Sequence, residues 1–178
     1  EIMSGDWSSD VCSSDLGTLD PNASGVLVVG IGLATKLLGL LTLDRKGYVA
    51  DISFGARTST DDADGEVVAT APVPAELREE EFARAACAKL VGTIDQLPPA
   101  VSAISVDGKR AYQLVREGKM PELTARRVTI YDATLLAVHA PSVEDDSLVW
   151  TVAFDVSKGT YIRSIARDLG QSLGTEAH

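Results

Sequence analysis

The sequence contains few of the residues that build metal centres, disulfide frameworks and hydrolytic triads. Among its 178 residues there are two cysteines, Cys12 and Cys87, and two histidines, His139 and His178. Two cysteines cannot supply a metal quartet or a disulfide framework, and Cys87 falls in an alanine-rich helical pattern that is typical of a small core residue. The positions of the histidines give no argument for a Ser–His or Cys–His pair, so a hydrolase triad is not expected.

Long hydrophobic runs are also missing. The longest apolar stretch, residues 25–41, is interrupted by Gly30, Gly32, Thr35 and Lys36, and it falls short of the roughly 18 apolar residues that indicate a membrane-spanning helix. The N-terminal residues are acidic and rich in serine, whereas a signal peptide is basic and then apolar. We therefore expect a cytoplasmic protein without a membrane segment.

Positive charge is scarce, with 16 Lys and Arg residues against 26 Asp and Glu residues and a net charge of −10. This balance argues against nucleic-acid binding, because affinity for phosphate backbones comes mostly from lysine and arginine. The basic residues are nevertheless clustered: Lys109, Arg110, Arg116 and Lys119, then Arg126 and Arg127, then Lys158, Arg163 and Arg167. A surface with such clusters can still bind RNA on one face.

The pattern of apolar and polar residues predicts an α+β protein. A chain of this length that is 45% hydrophobic suffices for one compact domain. Alternation predicts strands at residues 47–55, 126–140 and 147–157, and shorter apolar runs predict two more at residues 24–32 and 66–70. Helices are predicted at residues 33–43, at residues 75–92 and within the last segment, 158–174. Because strict βαβ alternation is missing, we expect a mixed, mainly antiparallel sheet flanked by helices.

The same pattern assigns faces to some of these elements. In the strand at residues 147–157, one face is expected to carry Leu148, Trp150, Val152, Phe154 and Val156. In the strand at residues 47–55, one face is expected to carry Tyr48, Ala50, Ile52 and Phe54. In the helix at residues 33–43, one face is expected to carry Leu37, Leu40 and Leu41.

Asp20 lies in "GTLDPNASGVLVV", residues 17–29, directly before a predicted buried strand. An aspartate followed by proline and asparagine is good turn chemistry, so the simplest interpretation is an Asx turn. The alternative is a nucleophile or base held at the mouth of a rigid strand. Such a group needs a cation that keeps the carboxylate ionised and an aromatic ring that holds a substrate.

Arg163 can supply that cation. If Thr160 caps the last helix, Arg163 lies in its first turn, where a cation opposes the helix dipole at a cost of about 0.3–1 kcal/mol. An arginine at this position suggests a specific anionic partner, either a carboxylate or a phosphate, although a surface arginine is the simpler interpretation. Tyr48 and Tyr161 are the candidates for the aromatic ring. Because Tyr48 lies on an apolar face of its strand, it could instead be a core residue.

Two further motifs are weak. "TSTDDADGE" is similar to a calcium loop, but Thr60 and Ala71 occupy the first and twelfth ligand positions, so a solvated hairpin turn is the better interpretation. "VLVVGIGLATK" carries part of a dinucleotide fingerprint, with Asp51 about 20 residues further on. Thr35 stands where the third glycine is required, and Asp51 lies inside an alternating strand.

Four blocks together resemble one family: "GTLDPNASGVLVVGIGLATK", "YVADISFGARTSTDDADGE", "QLPPAVSAISVDGKRAYQLVREGK" and "SKGTYIRSIARDLGQSLG". In this order they are similar to the TruB family of bacterial tRNA pseudouridine synthases, from Gly17 to His178. The resemblance implies the pseudouridine synthase catalytic fold, with a thumb-like insertion at residues 96–127 that clamps the T-arm of tRNA. It implies that uridine 55 in the T-loop becomes pseudouridine by base flipping and attack of an aspartate.

The resemblance also assigns roles to residues. It implies that Asp20 is the nucleophile, that Arg163 pairs with Asp20 and that Asp62 holds this arginine. Tyr48 is expected to stack on the flipped uracil and to take part in proton transfer, and Tyr161 to line the base pocket. Further substrate contacts are expected from Lys36, Lys109 and Arg110. No metal, no organic cofactor and no obligate protein partner is expected, and tRNA would be bound by a monomer.

The sequence departs from the family pattern at its ends. Asp15 stands where the family has a histidine before the "GTLDP" block. Residues 1–16 are expected to be non-native or disordered, since "DVCSSDL" is also the in-frame translation of a sequencing-library adapter. Residues 17–178 are expected to be the catalytic domain, incomplete at both ends. A non-catalytic tRNA-binding or chaperone relative and a dinucleotide-binding oxidoreductase are the alternative functions.

Overall fold

The computed structural model describes the backbone of residues 13–16 and residues 23–40, 44–102, 105–106, 109–119, 122–140 and 147–178. The chain divides into two compact units, Glu1–Asp44 and Arg45–His178. Within the described ranges, none of the helices is long and apolar enough to cross a membrane.

The first unit contains a two-stranded antiparallel sheet and a 3₁₀ helix. Strand β1 (Ser13–Leu16) pairs with β2 (Val28–Ile31), and the 3₁₀ helix Gly32–Leu40 follows directly. Strand β1 therefore comes from the last four residues of the segment 1–16.

The leucines expected on one face of this helix are not the ones that are buried. Leu38 is buried, whereas Leu37 and Leu40 are exposed, and Leu41 lies outside the described residues. A 3₁₀ helix places residues three apart on the same side, so Leu37 and Leu40 share a face, and this face is exposed. Leu38 packs on Gly30, where an added Cβ would lie 3.0 Å from Leu38 Cγ.

Where the structure describes the second unit, it contains strands and three α-helices. In chain order its elements are β3 (Arg45–Phe54), β4 (Ala56–Thr58), β5 (Val67–Thr70), α1 (Glu80–Ala88), β6 (Gly92–Gln96), β7 (Ser105–Val106), β8 (Lys109–Arg110), α2 (Ala111–Arg116), β9 (Arg126–His139), β10 (Leu148–Ser157) and α3 (Ile162–Ser172). The main sheet has four strands in the order β3-β10-β9-β6, and β4-β5 and β7-β8 form separate two-stranded sheets. Every described pairing is antiparallel.

Strand β10 lies between β3 and β9 and carries the centre of the core. Its residues alternate between buried and half-buried along the whole strand, which confirms the predicted apolar face. That face is buried from Leu148 to Val156, together with Ile52 and Phe54 of the neighbouring β3. Residues of α1 and α3 join the same core cluster, so the apolar side of the sheet is covered by helices.

Trp150 anchors the segment before α1 to this core. The side chain is fully buried, and its indole Nε1–H donates to the carbonyl of Leu77 at 2.9 Å. Its ring meets Phe54 edge to face, with 4.7 Å between the ring centroids. A buried indole N–H needs such an acceptor, so this bond ties the 3₁₀ turn Ala75–Arg78 to the sheet.

The helix expected over residues 75–92 is interrupted and shorter. A 3₁₀ turn ends at Arg78, Glu79 is extended with φ −83° and ψ 118°, and α1 ends at Ala88. Residues expected at the helix end instead begin β6 at Gly92. The competing interaction is tertiary, since β6 pairs with β9 and Thr93 and Thr129 are hydrogen-bonded at 3.0 Å between their hydroxyls.

The segment between β6 and β9 leaves and re-enters the sheet at one point. Gln96 and Arg126 are register partners on the two strands. Between them lie the antiparallel pair of strands β7 and β8 and the helix α2. The predicted insertion 96–127 therefore begins and ends at neighbouring positions of the sheet edge.

Candidate active site

The loop between β4 and β5, residues 59–66, presents two neighbouring aspartates to α3. Within the loop, Asp62 Oδ1 accepts hydrogen bonds from the Thr60 hydroxyl at 2.5 Å and from the backbone N–H of Asp64 at 3.1 Å. The Thr58 hydroxyl donates to the backbone carbonyl of Asp62 at 2.6 Å. These bonds fix the carboxylate of Asp62, and its other oxygen, Oδ2, meets Arg163. The sequence-based interpretation of a hairpin turn here is confirmed by the β4–β5 pairing.

Arg163 is held from three sides. Its Nη1 donates to Asp62 Oδ2 at 3.1 Å, to the carbonyl of Thr60 at 3.1 Å and to the carbonyl of Val101 at 3.3 Å. The side chain is 15% exposed. Arg163 lies in the first turn of α3, where the helix dipole disfavours a cation, and the carboxylate of Asp62 compensates that cost. The anionic partner expected from the helix position is therefore an aspartate of this chain.

The start of α3 differs from the expectation in one detail. The N-cap residue is Tyr161 and not Thr160. The Thr160 hydroxyl donates to the carbonyl of Ser157 at 2.8 Å instead of capping the helix. Arg163 remains in the first turn, because the helix begins at Ile162.

Gln96 fixes the backbone of Tyr161. Its side chain is 1% exposed, its Nε2 donates to the carbonyl of Tyr161 at 3.0 Å, and its Oε1 accepts from the N–H of Tyr161 at 2.8 Å. The side-chain amide thus satisfies an N–H at the helix start that has no partner within the helix. This pair of bonds joins the end of β6 to the start of α3, two residues before Arg163.

A second arginine binds the same loop one helical turn further along. Arg167 Nη1 donates to Asp61 Oδ2 at 2.8 Å, Nε donates to Asp168 Oδ1 at 2.8 Å, and Nη2 donates to the carbonyl of Leu97 at 2.9 Å. Burial lowers the pKa of Arg167, but the hydrogen bonds and charges of Asp168 and Asp61 outweigh it, so the pKa is raised above its ordinary value. Arg167 is therefore a structural cation, and neither it nor Arg163 belongs to an exposed basic patch.

The other predicted site residues lie on other elements of the chain or outside the described residues. Tyr48 is on β3 opposite Phe154 and is 37% exposed, whereas Lys36 is exposed on the 3₁₀ helix of the first unit. Lys109 and Arg110 form β8, and their side chains are outside the described set. Asp20 lies in residues 17–22, which the structure does not describe.

Three residues of the cluster were missed from the sequence as site residues: Gln96, Asp61 and Arg167. The spacing of Arg163 and Arg167 by one helical turn is a signal that could have found the last of them. Among the described residues, no group of three or more His, Cys, Asp or Glu side chains could hold a metal ion. The arrangement fixes a guanidinium group, with its charge balanced by a carboxylate, at the start of a helix.

Comparison with known proteins identifies the family. The sequence model described as TruB family pseudouridylate synthase (N terminal domain) matches residues 15–162. The tRNA pseudouridine synthase B of Mycobacteroides abscessus is 52% identical over 162 residues, which cover 91% of this chain and 53% of that protein. The protein of the same name from Thermobifida fusca is 47% identical over 163 residues, with 91% and 55% covered. The chain belongs to the TruB family of pseudouridylate synthases, and it spans about half the length of these curated relatives.

Solved structures agree with this fold. A chain in the crystal structure of a Cbf5-Nop10-Gar1 complex matches with a TM-score of 0.57 and 27% identity, over 94% of this chain and 37% of that chain. A chain in the archaeal box H/ACA sRNP Nop10-Cbf5 complex matches with a TM-score of 0.57 and 24% identity, over 94% and 36%. The second likeness concerns the fold alone. The predicted α+β pseudouridine synthase fold is confirmed.

Proposed function

We propose that this protein isomerises uridine to pseudouridine in the T-loop of tRNA, at position 55. The observation that carries the proposal is the Asp62–Arg163 ion pair, 3.1 Å between Nη1 and Oδ2, in a chain that belongs to the TruB family. The relatives are named tRNA pseudouridine synthase B, which supports tRNA as the substrate.

The reaction exchanges one bond of the sugar for another. The bond from C1′ to N1 of uracil breaks, the base turns over, and C1′ bonds to C5. The hydrogen on C5 leaves to solvent and N1 takes up a proton, so no electrons are gained or lost and no redox cofactor is needed. Asp20 is the proposed nucleophile, on the strength of the "TLDP" block. Attack at C1′ of the ribose and attack at C6 of the base both require its carboxylate to be ionised.

Arg163 is the proposed cation beside Asp20. Asp62 and the carbonyls of Thr60 and Val101 bind its Nη1 and so restrict the plane of the guanidinium. A cation held in place stabilises a neighbouring anion more effectively than a mobile one, because no reorganisation is needed during the reaction. The fixed arginine would keep the nucleophile ionised.

The tyrosines and the insertion are proposed to bind the RNA. Extruding a base from its stack costs a few kcal/mol, and stacking on an aromatic ring returns about 1–3 kcal/mol per base. Tyr48, with 37% of its surface exposed, is the proposed stacking partner, and Tyr161 the proposed pocket wall. The insertion 96–127 would clamp the T-arm by its shape. A cytoplasmic monomer remains the proposed form.

Lys36, Lys109 and Arg110 would contact the phosphate backbone, which positions the RNA without reading its sequence. Because such contacts release counterions, binding of the stem-loop is expected to weaken as salt increases.

Tritium release from a T-arm stem-loop labelled at C5 of uridine tests the proposal. Release by the parent chain is expected, with no release by Asp20→Asn. Asp51→Asn is the matched control, since it removes an exposed carboxylate on β3 that bonds to Thr151, and it should release tritium like the parent. Release by Asp20→Asn at the parental rate would contradict the assignment of the nucleophile.

The same samples distinguish the alternatives. Binding of the stem-loop without tritium release, even after a family-like N-terminus replaces residues 1–16, would favour the non-catalytic RNA-binding relative. The oxidoreductase is disfavoured because a dinucleotide fingerprint needs a parallel βαβ unit, whereas β2 pairs antiparallel with β1. Titration with NAD should accordingly produce no saturable binding.

A further inference from the structure

Two parallel ion pairs connect the loop 59–66 to α3. Asp62 pairs with Arg163 at 3.1 Å, and Asp61 pairs with Arg167 at 2.8 Å. The aspartates are adjacent in sequence, and the arginines are four residues apart, so they lie on one face of the helix. The first pair belongs to the proposed active site, and the proposed mechanism gives the second pair no role.

The second pair is the more enclosed of the two. Its side chains, Arg167 and Asp61, are 11% and 10% exposed, whereas those of Arg163 and Asp62 are 15% and 28% exposed. Arg167 also donates to the carbonyl of Leu97 and to Asp168. It therefore connects the loop, the helix and the segment that follows β6.

The backbone at Asp61 explains how both aspartates reach one helix. Asp61 has φ +58°, and among the described residues it is the only residue other than glycine with a positive φ. In extended backbone, consecutive side chains point to opposite faces. A left-handed residue changes the direction of the chain at this point, and aspartate tolerates that conformation better than most residues. Two contacts fix Asp61 in this turn, the buried ion pair with Arg167 and the hydrogen bond that its N–H donates to the carbonyl of Thr58.

We propose that Asp61 and Arg167 are a positioning pair, which holds the loop so that Asp62 orients Arg163 for the reaction. In this role the two residues bind groups of the protein, and neither is assigned a contact with the substrate. The pair acts through the loop backbone, because Asp61 and Asp62 share a peptide bond and Thr60, one residue earlier, also binds Arg163. The inference rests on the proposed function, since it concerns the same arginine.

Variants at Asp61 separate positioning from simple stability. Asp61→Gly removes the carboxylate but suits a positive φ, so it loosens the contact without straining the loop. Asp61→Asn also tolerates this φ and retains an acceptor for Arg167. Glu80→Gln is the control, because it removes an exposed ion pair with Arg84 on α1. Each variant is assayed for kcat and KM of tritium release and, after labelling of the arginines with ¹⁵N, for solvent exchange of the Arg163 guanidinium hydrogens by NMR.

The expected result is a selective loss in Asp61→Gly. Its kcat should fall on the order of tenfold to a hundredfold, as for a misplaced catalytic group, with the KM for the stem-loop unchanged because no RNA contact is removed. The Arg163 guanidinium hydrogens should exchange faster with solvent. In Asp61→Asn, both kcat and the exchange rate of the Arg163 guanidinium hydrogens should lie near the parental values. Glu80→Gln should match the parent in both.

A second variant covers the case in which Asp61→Gly does not fold. Arg167→Lys keeps a positive charge opposite Asp61, but an ammonium group cannot make the same directed bonds to Asp61, Asp168 and Leu97. It should show the same loss of kcat at unchanged KM and the same faster exchange. Parental kcat and parental exchange in a folded variant of either kind would overturn the inference. If the parent releases no tritium, the proposed function fails for this chain, and the exchange of the Arg163 hydrogens alone decides whether Asp61 positions it.

Discussion

Gln96 joins β6 to the start of α3 through its side chain alone, so its replacement is a stringent test of the structure. In Gln96→Met the side chain keeps nearly the same length and volume but has no amide. The N–H of Tyr161 would then lose its acceptor, Gln96 Oε1 at 2.8 Å. The carbonyl of Tyr161 would lose one donor but keep the N–H of Ile165 at 3.2 Å.

The expected loss of stability follows from these two changes. A buried N–H without a partner costs about 1–3 kcal/mol, and one lost hydrogen bond to a group that retains another costs about 1 kcal/mol. The whole cost of the unpaired N–H applies because Gln96 is only 1% exposed, so water cannot easily replace the amide. The free energy of unfolding of Gln96→Met should therefore be lower than that of the parent by about 2–4 kcal/mol.

In Gln96→Glu the free energy of unfolding should also depend on pH, which a packing defect alone would not cause. The ionised carboxylate can accept from the N–H of Tyr161 but repels its carbonyl, whereas the protonated form can donate to that carbonyl. Burial and the facing carbonyl should raise the pKa of the introduced carboxyl in the folded state. The folded state then binds the proton more tightly, so the stabilising contact is fully present below the ordinary pKa of about 4.3 and is lost as pH rises through the folded pKa.

Urea unfolding followed by tryptophan fluorescence measures both effects. Trp150 is fully buried in the core of the second unit, and a Trp7→Phe background removes the other tryptophan. The deficit of Gln96→Glu relative to the parent should shrink as pH falls, and that of Gln96→Met should not. If Gln96→Met unfolds at the parental urea midpoint, or if both deficits are independent of pH, the reasoning about this amide is refuted.

Two further predictions concern the core and the C-terminal segment. Burial raises the pKa of the Cys87 thiol to about 11 from 9.0, against the opposing charge of Arg84. The folded state therefore holds this proton more tightly, and stability is lost as pH rises above 9.0 toward 11. The free energy of unfolding is measured by urea titration at a pH below 9.0 and again near pH 11. Between the two, it should fall by about 2 kcal/mol more in the parent than in Cys87→Ala, and equal decreases would contradict this. A methyl group at Gly170 would lie 2.7 Å from Ala177 Cβ and N, so Gly170→Ala should destabilise by about 1–3 kcal/mol. Hydrogen exchange at the His178 amide, which bonds to Ser53, should then accelerate, and parental protection would refute this.

The pattern of apolar and polar residues was sufficient to predict the features that depend on neighbouring residues or on a regular repeat. The apolar face of β10 could be predicted because a sheet with one covered side buries alternate residues from Leu148 to Val156. The need of Arg163 for an anion could be predicted because the helix dipole acts within the first turn of its own helix. Motif spacing carried the family assignment for the same reason, since each block is a short continuous stretch.

The tertiary structure decided which further partners meet and where elements stop. The pairing of Asp62 with Arg163, across 101 residues, was implied by the family resemblance. The contacts of Asp61 with Arg167, across 106 residues, and of Gln96 with Tyr161, across 65 residues, were not. Hydrogen bonds across such separations leave no periodic pattern in the sequence. The helix predicted to end at Gly92 yields to β6 because strand pairing with β9 outweighs a weak local preference. Sequence therefore determined which segments bury an apolar face and which residues require a partner. Apart from the Asp62–Arg163 pair, which the family resemblance implied, only the packed chain determined which partner each of them has.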